Sequence, residues 1–185
     1  MSPLNEHLAT PRLDLVPLHP DDADEMVDVL ADSRLYTFTG GHPPSRDELL
    51  VRYRRQSVGH SADGTEEWHN WIVRRRPQGE AIGFAQATIL GSSGPADIAW
   101  LIGVPWQGRG FAGEAARAVV AWLERRGVVL ITAHIHPSHP ASESVAASVG
   151  LEPIDDTDEG ERVWHRVPVS ETTRPLRVEE PRPPG

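Results

Sequence analysis

The sequence predicts an α/β fold, and three observations carry that reading. An almost wholly apolar strand over residues 96–104 runs into a glycine-rich turn that opens an amphipathic helix, and a further strand-like stretch follows at residues 128–136. Residues 68–75 and 81–90 flank the turn sequence Pro77, Gln78, Gly79, Glu80, which marks an antiparallel hairpin. Helix-start signals stand ahead of the other helical stretches.

In chain order, the first helix begins at His19 and Pro20, with Asp21, Asp22, Asp24 and Glu25 in the opening turn ahead of Met26, Val27 and Leu30. Ser45 and Glu48 form a capping box for the second. The hairpin comes next, then the turn at residues 91–95 into the central strand. The helix after the glycines places Phe111, Ala115, Ala118, Val119 and Trp122 on one face, with Glu114 in its first turn and Arg125, Arg126 and Gly127 at its end. After the strand at 128–136, Pro140 suits the first position of another helix ending near Gly150. A last strand spans 162–169. Residues 170–185, with Pro175, Pro181, Pro183 and Pro184 and almost no apolar side chains, read as a disordered tail. The domain therefore covers residues 1–169.

Composition fits one soluble domain. The chain has 185 residues, 38% apolar and 24% charged, enough for a core without a second unit. No apolar run approaches the ~18 residues of a membrane span, and no secretory leader is apparent at the start, so the expected setting is the cytoplasm with no membrane partner. The absence of cysteine excludes disulfides, thiolate metal sites and a cysteine-linked acyl-enzyme. Acids outnumber bases 27 to 18, a net charge of −9 that argues against nucleic acid and favours cationic amines. Arg52, Arg54, Arg55 and Arg74, Arg75, Arg76 are local exceptions, read as solvated surface.

The turn itself bears the chemistry. Gly108, Gly110 and Gly113 let the backbone approach a ligand, and the following helix offers unpaired N–H donors and the positive end of its dipole, a cradle for pyrophosphate. A plain strand-turn-helix connection remains the alternative. A P-loop is excluded for want of its Lys and hydroxyl; Gly108, Gly110 and Gly113 formally match the glycines of the dinucleotide fingerprint, but the strand at 128–136 ends without its acid, which leaves a nicotinamide-dependent oxidoreductase as a weaker rival.

The run Gln107, Gly108, Arg109, Gly110, Phe111, Ala112 resembles the acyl-CoA motif of the GNAT superfamily of N-acetyltransferases. Residues 96–104 look like that family's fourth strand, with Asp97 where many relatives place Glu. Residues 138–153 resemble its Asn-x-x-Ser helix, keeping Ser142 and Gly150 but carrying His139 for Asn and Leu151 for Phe. The likeness is greatest to the RimJ/RimL-like branch, whose members open with a strand like residues 10–18, and it spans residues 13–169.

The resemblance implies a mixed, mostly antiparallel sheet flanked by helices, whose fourth and fifth strands splay to admit pantetheine. It implies acetyl-CoA as cosubstrate and direct acetyl transfer to a primary amine, a protein N-terminus or a small amine, by a monomer or homodimer. Leu101, Ile102 and Val104 would meet the pantetheine arm through their backbone, and Gln107, Gly108, Arg109, Gly110, Phe111 and Ala112 the pyrophosphate. His139 and Ser142 would complete the cofactor contacts, and a backbone N–H near Ile102 would meet the oxyanion. Asp97 would take the amine's proton through water, and Ser142 would donate to the leaving thiolate. Asp97 as a strand-start residue and Ser142 as a helix-bonding serine are the structural alternatives.

Three further readings complete the expectation. His136 is a substitute base, and the trio His134, His136, His139 lacks a carboxylate at metal-site spacing, so no metal is expected. Residues 66–71 join negative charge to aromatic area, suiting either the acceptor's mouth or a hairpin strand with core tryptophans. A non-catalytic acyl-CoA-binding sensor or partner module is the alternative function.

Overall fold

A computed structural model describes residues 6–166 of the chain. Its sheet has eight strands in the order β1-β2-β3-β4-β5-β6-β8-β7. They are β1 (Leu8–Ala9), β2 (Leu13–Pro17), β3 (Glu66–Arg75), β4 (Glu80–Leu90), β5 (Ala96–Ile102), β6 (Ile131–Ile135), β7 (Glu152–Asp158) and β8 (Glu161–Arg166). Every neighbouring pair is antiparallel except β5 and β6, which run parallel. The sheet is thus mixed and mostly antiparallel, as expected.

Helices cover both faces. α1 (Ala23–Val29) and α2 (Arg46–Gln56) pack on one, α3 (Phe111–Arg125) and α4 (Pro140–Ser148) on the other. Strand alternation divides the core accordingly. From β3, Trp71 and Val73 join Trp122, Leu123 and Ile131 under α3, while the intervening Ile72 joins Met26, Leu49 and Tyr53 under α1 and α2. Trp71 and Trp122 meet edge to face, their ring centroids 5.1 Å apart. Burying each such ring stabilises the fold by roughly 1.5–3 kcal/mol or more.

The helix starts obey the local chemistry. Glu48 N–H donates to Ser45 Oγ and Ser45 N–H to the Glu48 carboxylate, closing the capping box of α2. At the first helix a 3-10 turn, Pro20–Asp22, precedes α1, with Asp21 N–H donating to His19 Nδ1. The arginines of β3 and the turn after it are not loose surface charges. Arg74 pairs with Asp22 and Glu25, Arg75 with Glu80, and Arg76 with Asp14.

Two features position the site. β5 and β6 pair only at Ala96 with Ile131 and Asp97 with Thr132, and beyond that register they part. This is the anticipated splay, displaced by one in strand number because the short β1 precedes the others. Gly103 then turns the chain through a 3-10 segment, Val104–Trp106, into the glycine loop, so β5 ends two residues before the predicted strand end. The predicted tail at residues 170–185, the domain boundary at 169 and residues 167–169 of the last strand lie outside the described residues.

Candidate active site

A cavity of about 590 Å³ runs through the gap between β5 and β6. Ile98, Trp100 and Ile102 line it from β5, His134 and His136 from β6 and the residue just past it, Ser142 and Val145 from α4, and Gly108 to Gly113 from the loop and the start of α3, save Arg109. Arg34, Leu35, Phe38 and Thr39, between α1 and α2, wall it on the other side of the sheet. The opening therefore connects the two faces.

Main-chain alternation decides what β5 offers. Gly103 N–H donates to the Ile82 carbonyl at 2.8 Å, which commits the backbone of Leu101 and Ala99 to β4 and turns that of Ile98, Trp100 and Ile102 toward the gap. Of the residues expected to meet a pantetheine arm through their backbone, Ile102 faces it. Leu101 contributes side-chain wall instead, its main chain being spent on Phe84, and Val104 does not line the cavity. Trp100 takes the place expected of Leu101. Gln107 folds back so that Nε2 donates to the Ile102 carbonyl at 2.8 Å, leaving the Ile102 N–H as the donor at the strand end.

Past Gln107 the loop leaves its N–H groups unpaired among the described residues. Gly108 and Gly110 hold φ of 73° and 78°, left-handed backbone that suits glycine, and Gly110 caps α3 with no side-chain acceptor. Gln107 N–H is spent on Val104 and Glu114 N–H on Gly110, but the N–H groups of residues 108–113 have no acceptor among the described residues. Unpaired donors at the positive end of a 15-residue helix are the chemistry that suits an anion. Phe111 is buried beneath it and Ala112 lines the cavity, whereas the Arg109 side chain does not reach it.

Opposite the loop, His139 fills the helix-cap position. Its Nδ1 accepts the Ser142 N–H at 3.4 Å, and Pro140 occupies the first turn of α4. Burial, aided by the neighbouring His136, holds His139 below its ordinary pKa, so the neutral ring that a cap acceptor requires is favoured. Phe38 stacks on it with centroids 4.4 Å apart. The Ser142 hydroxyl has no hydrogen-bond partner among the described residues, lines the cavity and is free to donate there.

At the apex of the gap, Asp97 is held between strands. Thr132 Oγ1 donates to Asp97 Oδ1 at 3.1 Å, and His134 Nδ1 lies 3.1 Å from the same oxygen. Desolvation among the sheet's neighbours raises the Asp97 pKa, against the lowering effects of His134 and Thr132, although 48% of the side chain stays exposed. With Nδ1–H directed at the carboxylate, His134 Nε2 is left as an acceptor, with Asp158 Oδ2 3.7 Å away. His134, not Asp97, lines the cavity. The three histidines serve different partners, since His136 Nδ1 accepts Ser138 N–H, and among the described residues no group of three ligating side chains could hold a metal ion.

Residues 66–71 divide between the faces. Trp71 is core, His69 is buried against Trp122, and Glu67 pairs with Arg126, which removes them from any mouth. Trp68 donates Nε1–H to Glu66 on the other face, where register aligns Trp68, Thr88, Asp97 and Thr132 across four strands. None of the described helices is long and apolar enough to cross a membrane.

Comparison with known proteins agrees with this geometry. The model of the acetyltransferase (GNAT) domain matches residues 12–152. No curated protein matches the chain. Among solved structures, the ribosomal L7/L12 α-N-protein acetyltransferase RimL in complex with coenzyme A is 14% identical, with a TM-score of 0.70 over 88% of this chain and 98% of that one. The microcin C7 self-immunity acetyltransferase MccE, in complex with acetyl-CoA and AMP, is 11% identical at TM-score 0.70, covering 85% and 93%. An acetyltransferase from Thermus thermophilus is 20% identical at TM-score 0.68, covering 88% and 99%.

Proposed function

The chain belongs to the GNAT acetyltransferase domain family, and from that premise we propose that it moves an acetyl group from acetyl-CoA directly to a primary amine. The observation that carries this reading is the continuity of the cleft: unpaired amides at residues 108–113, the inward backbone of Trp100 and Ile102, and His134 backed by Asp97 succeed one another along one gap. Acetyl-CoA supplies the thioester. The loop amides suit its pyrophosphate and the gap its pantetheine arm.

An alkyl ammonium has a reference pKa of about 8 at an α-amine and about 10.4 at lysine, so a proton must leave before attack. His134 Nε2 receives it, and Asp97 holds the ring's tautomer and stabilises the imidazolium that results. This shifts the base from Asp97 acting alone to a pair in which Asp97 orients. The N–H of Ile102 or Trp100 meets negative charge on the carbonyl oxygen, and Ser142 Oγ–H donates to the departing sulfur. Asp158 beside His134, and Glu161 on the cavity wall, favour an acceptor arriving as a cation. RimL acts on a protein α-amine; here the acceptor is a peptide N-terminus or a small amine, and the protein works in the cytoplasm.

Titration calorimetry with acetyl-CoA, followed by a thiol-release assay against pooled amines and peptides, tests the reading. Saturable binding with amine-dependent thiol release is expected. Binding without transfer would make the protein an acyl-CoA-binding module, and no binding would overturn the proposal.

A further inference from the structure

With two glycines in left-handed backbone, the loop at residues 107–113 needs an external support to keep its amides aligned, and that support comes from the far end of the chain. Arg12, immediately before β2, makes one hydrogen bond to it and two to Glu114 just after it. Its Nη1 donates to the Arg109 carbonyl at 3.0 Å, its Nε to Glu114 Oε2 at 2.6 Å, and its main-chain N–H to Glu114 Oε1 at 2.9 Å. The guanidinium carbon lies 4.7 Å from the Phe111 ring centroid. Thr10 Oγ1 donates to Glu114 Oε1 at 2.6 Å.

Electrostatics gives the arrangement a purpose. A carboxylate in the first turn of a helix suits the dipole, yet one beside an anion-binding helix start repels the anion. Glu114 is such a carboxylate and is largely covered, with 12% of its side chain exposed. Burial pushes its pKa up, and the bonds from Thr10 and Arg12 more than reverse this, so it is charged at neutral pH. Arg12 cancels that charge and at the same time ties down the carbonyl between the two left-handed glycines. Its own side chain is half exposed, so the ion pair adds little to global stability. Its effect falls on the loop.

We propose that Arg12 is a positioning residue for the donor's pyrophosphate: it pins the loop through Arg109 and masks Glu114, which would otherwise repel the phosphates. The inference rests on the acetyl-CoA reading above.

Calorimetry with acetyl-CoA and with S-acetylpantetheine, which carries the same thioester but no pyrophosphate, tests it on Arg12→Gln, Glu114→Gln and the double variant. Arg12→Gln should raise the acetyl-CoA Kd about tenfold, the size of one charge-assisted hydrogen bond, and leave the S-acetylpantetheine Kd within about twofold. Adding Glu114→Gln should recover part of the loss, because the unmasked charge goes with it. Equal losses for both donors, an unchanged acetyl-CoA Kd, or no recovery in the double variant would each overturn the assignment. Should the wild-type protein not bind acetyl-CoA, the functional reading fails on its own. The pinning is then decided by backbone 15N order parameters at Gly108 and Gly110 in the ligand-free protein, which Arg12→Gln should lower and which, if unchanged, overturn it.

Discussion

Replacing Gly108 or Gly110 by alanine separates the loop's chemistry from its contribution to folding. Both sit at positive φ, and the Cβ has room, with nothing within 4 Å at Gly108 and only Arg12 Nη2 at 3.5 Å at Gly110. The penalty is therefore conformational, about 1–2 kcal/mol for an L-residue in left-handed backbone. Gly127 provides the control. It has φ of 77° and equally open space, but stands past the other end of α3, about 22 Å along the helix axis. In Gly127→Ala the strain stays in a helix end and lowers unfolding stability by about that 1–2 kcal/mol, read by urea titration, with no effect on binding. In the loop variants the chain relaxes by rotating out of the left-handed region, which swings the N–H groups away. Binding must restore them, so the acetyl-CoA Kd should rise about 5- to 30-fold, the equivalent of the same energy. The reasoning is refuted if Gly108→Ala and Gly110→Ala bind as wild type, or if Gly127→Ala loses as much affinity as they do.

Asp97→Asn and His134→Gln should each lower kcat at least about a hundredfold and change the acidic limb of the pH profile while leaving the acetyl-CoA Kd near wild type. Because burial raises the Asp97 pKa above its ordinary 3.8, this group's contribution to stability is present below 3.8 and lost as pH rises through the folded value. Asp97→Asn should thus equal or exceed wild-type stability at about pH 7 and show no difference near about pH 3, and a large loss at neutral pH would contradict the assignment. Ser142→Ala should cost about ten- to a hundredfold in kcat with an unchanged melting temperature; lost stability at full turnover would instead make Ser142 a first-turn serine that serves only its own helix. Gly83→Ala places a Cβ 2.0 Å from the Leu101 carbonyl and 3.0 Å from Ile102, so β4 and β5 must separate. A stability loss of about 3 kcal/mol with impaired acetyl-CoA binding is expected, and wild-type behaviour in both would show that β5 is not fixed by this contact.

Much of the fold can be read from local pattern. The capping box at Ser45, the apolar strand at 96–102 and the face of α3 all reflect short-range rules that the sequence displays openly. β7, by contrast, leaves no such signal. Its residues Glu152–Asp158 are mostly exposed and carry no apolar alternation, so only pairing with β8 makes them a strand. The two residues of β1 are too short to leave a pattern.

At the site, the glycine loop and Asp97 are legible because backbone conformation and a lone carboxylate in an apolar strand stand out. The partner of Asp97 is not. His134 comes within reach of Asp97 through the register of two parallel strands that touch at only two positions, and a one-residue slip would turn it to the other face. The same holds for Arg12, which meets Glu114 across 102 residues of chain. Trp71 and Trp68 differ by strand parity alone: one packs in the core while the other lies on the opposite face. At position 139 an imidazole nitrogen accepts the same N–H that the amide oxygen of an Asn would take.

A crystal structure with acetyl-CoA bears most directly on the central claim, that the main-chain N–H groups of residues 108–113 hold the donor's pyrophosphate. The account predicts pyrophosphate oxygens within about 3.2 Å of several of those nitrogens, with the thioester reaching the gap beside His134. A carrier bound elsewhere, with those amides turned to partners within the protein, would contradict it.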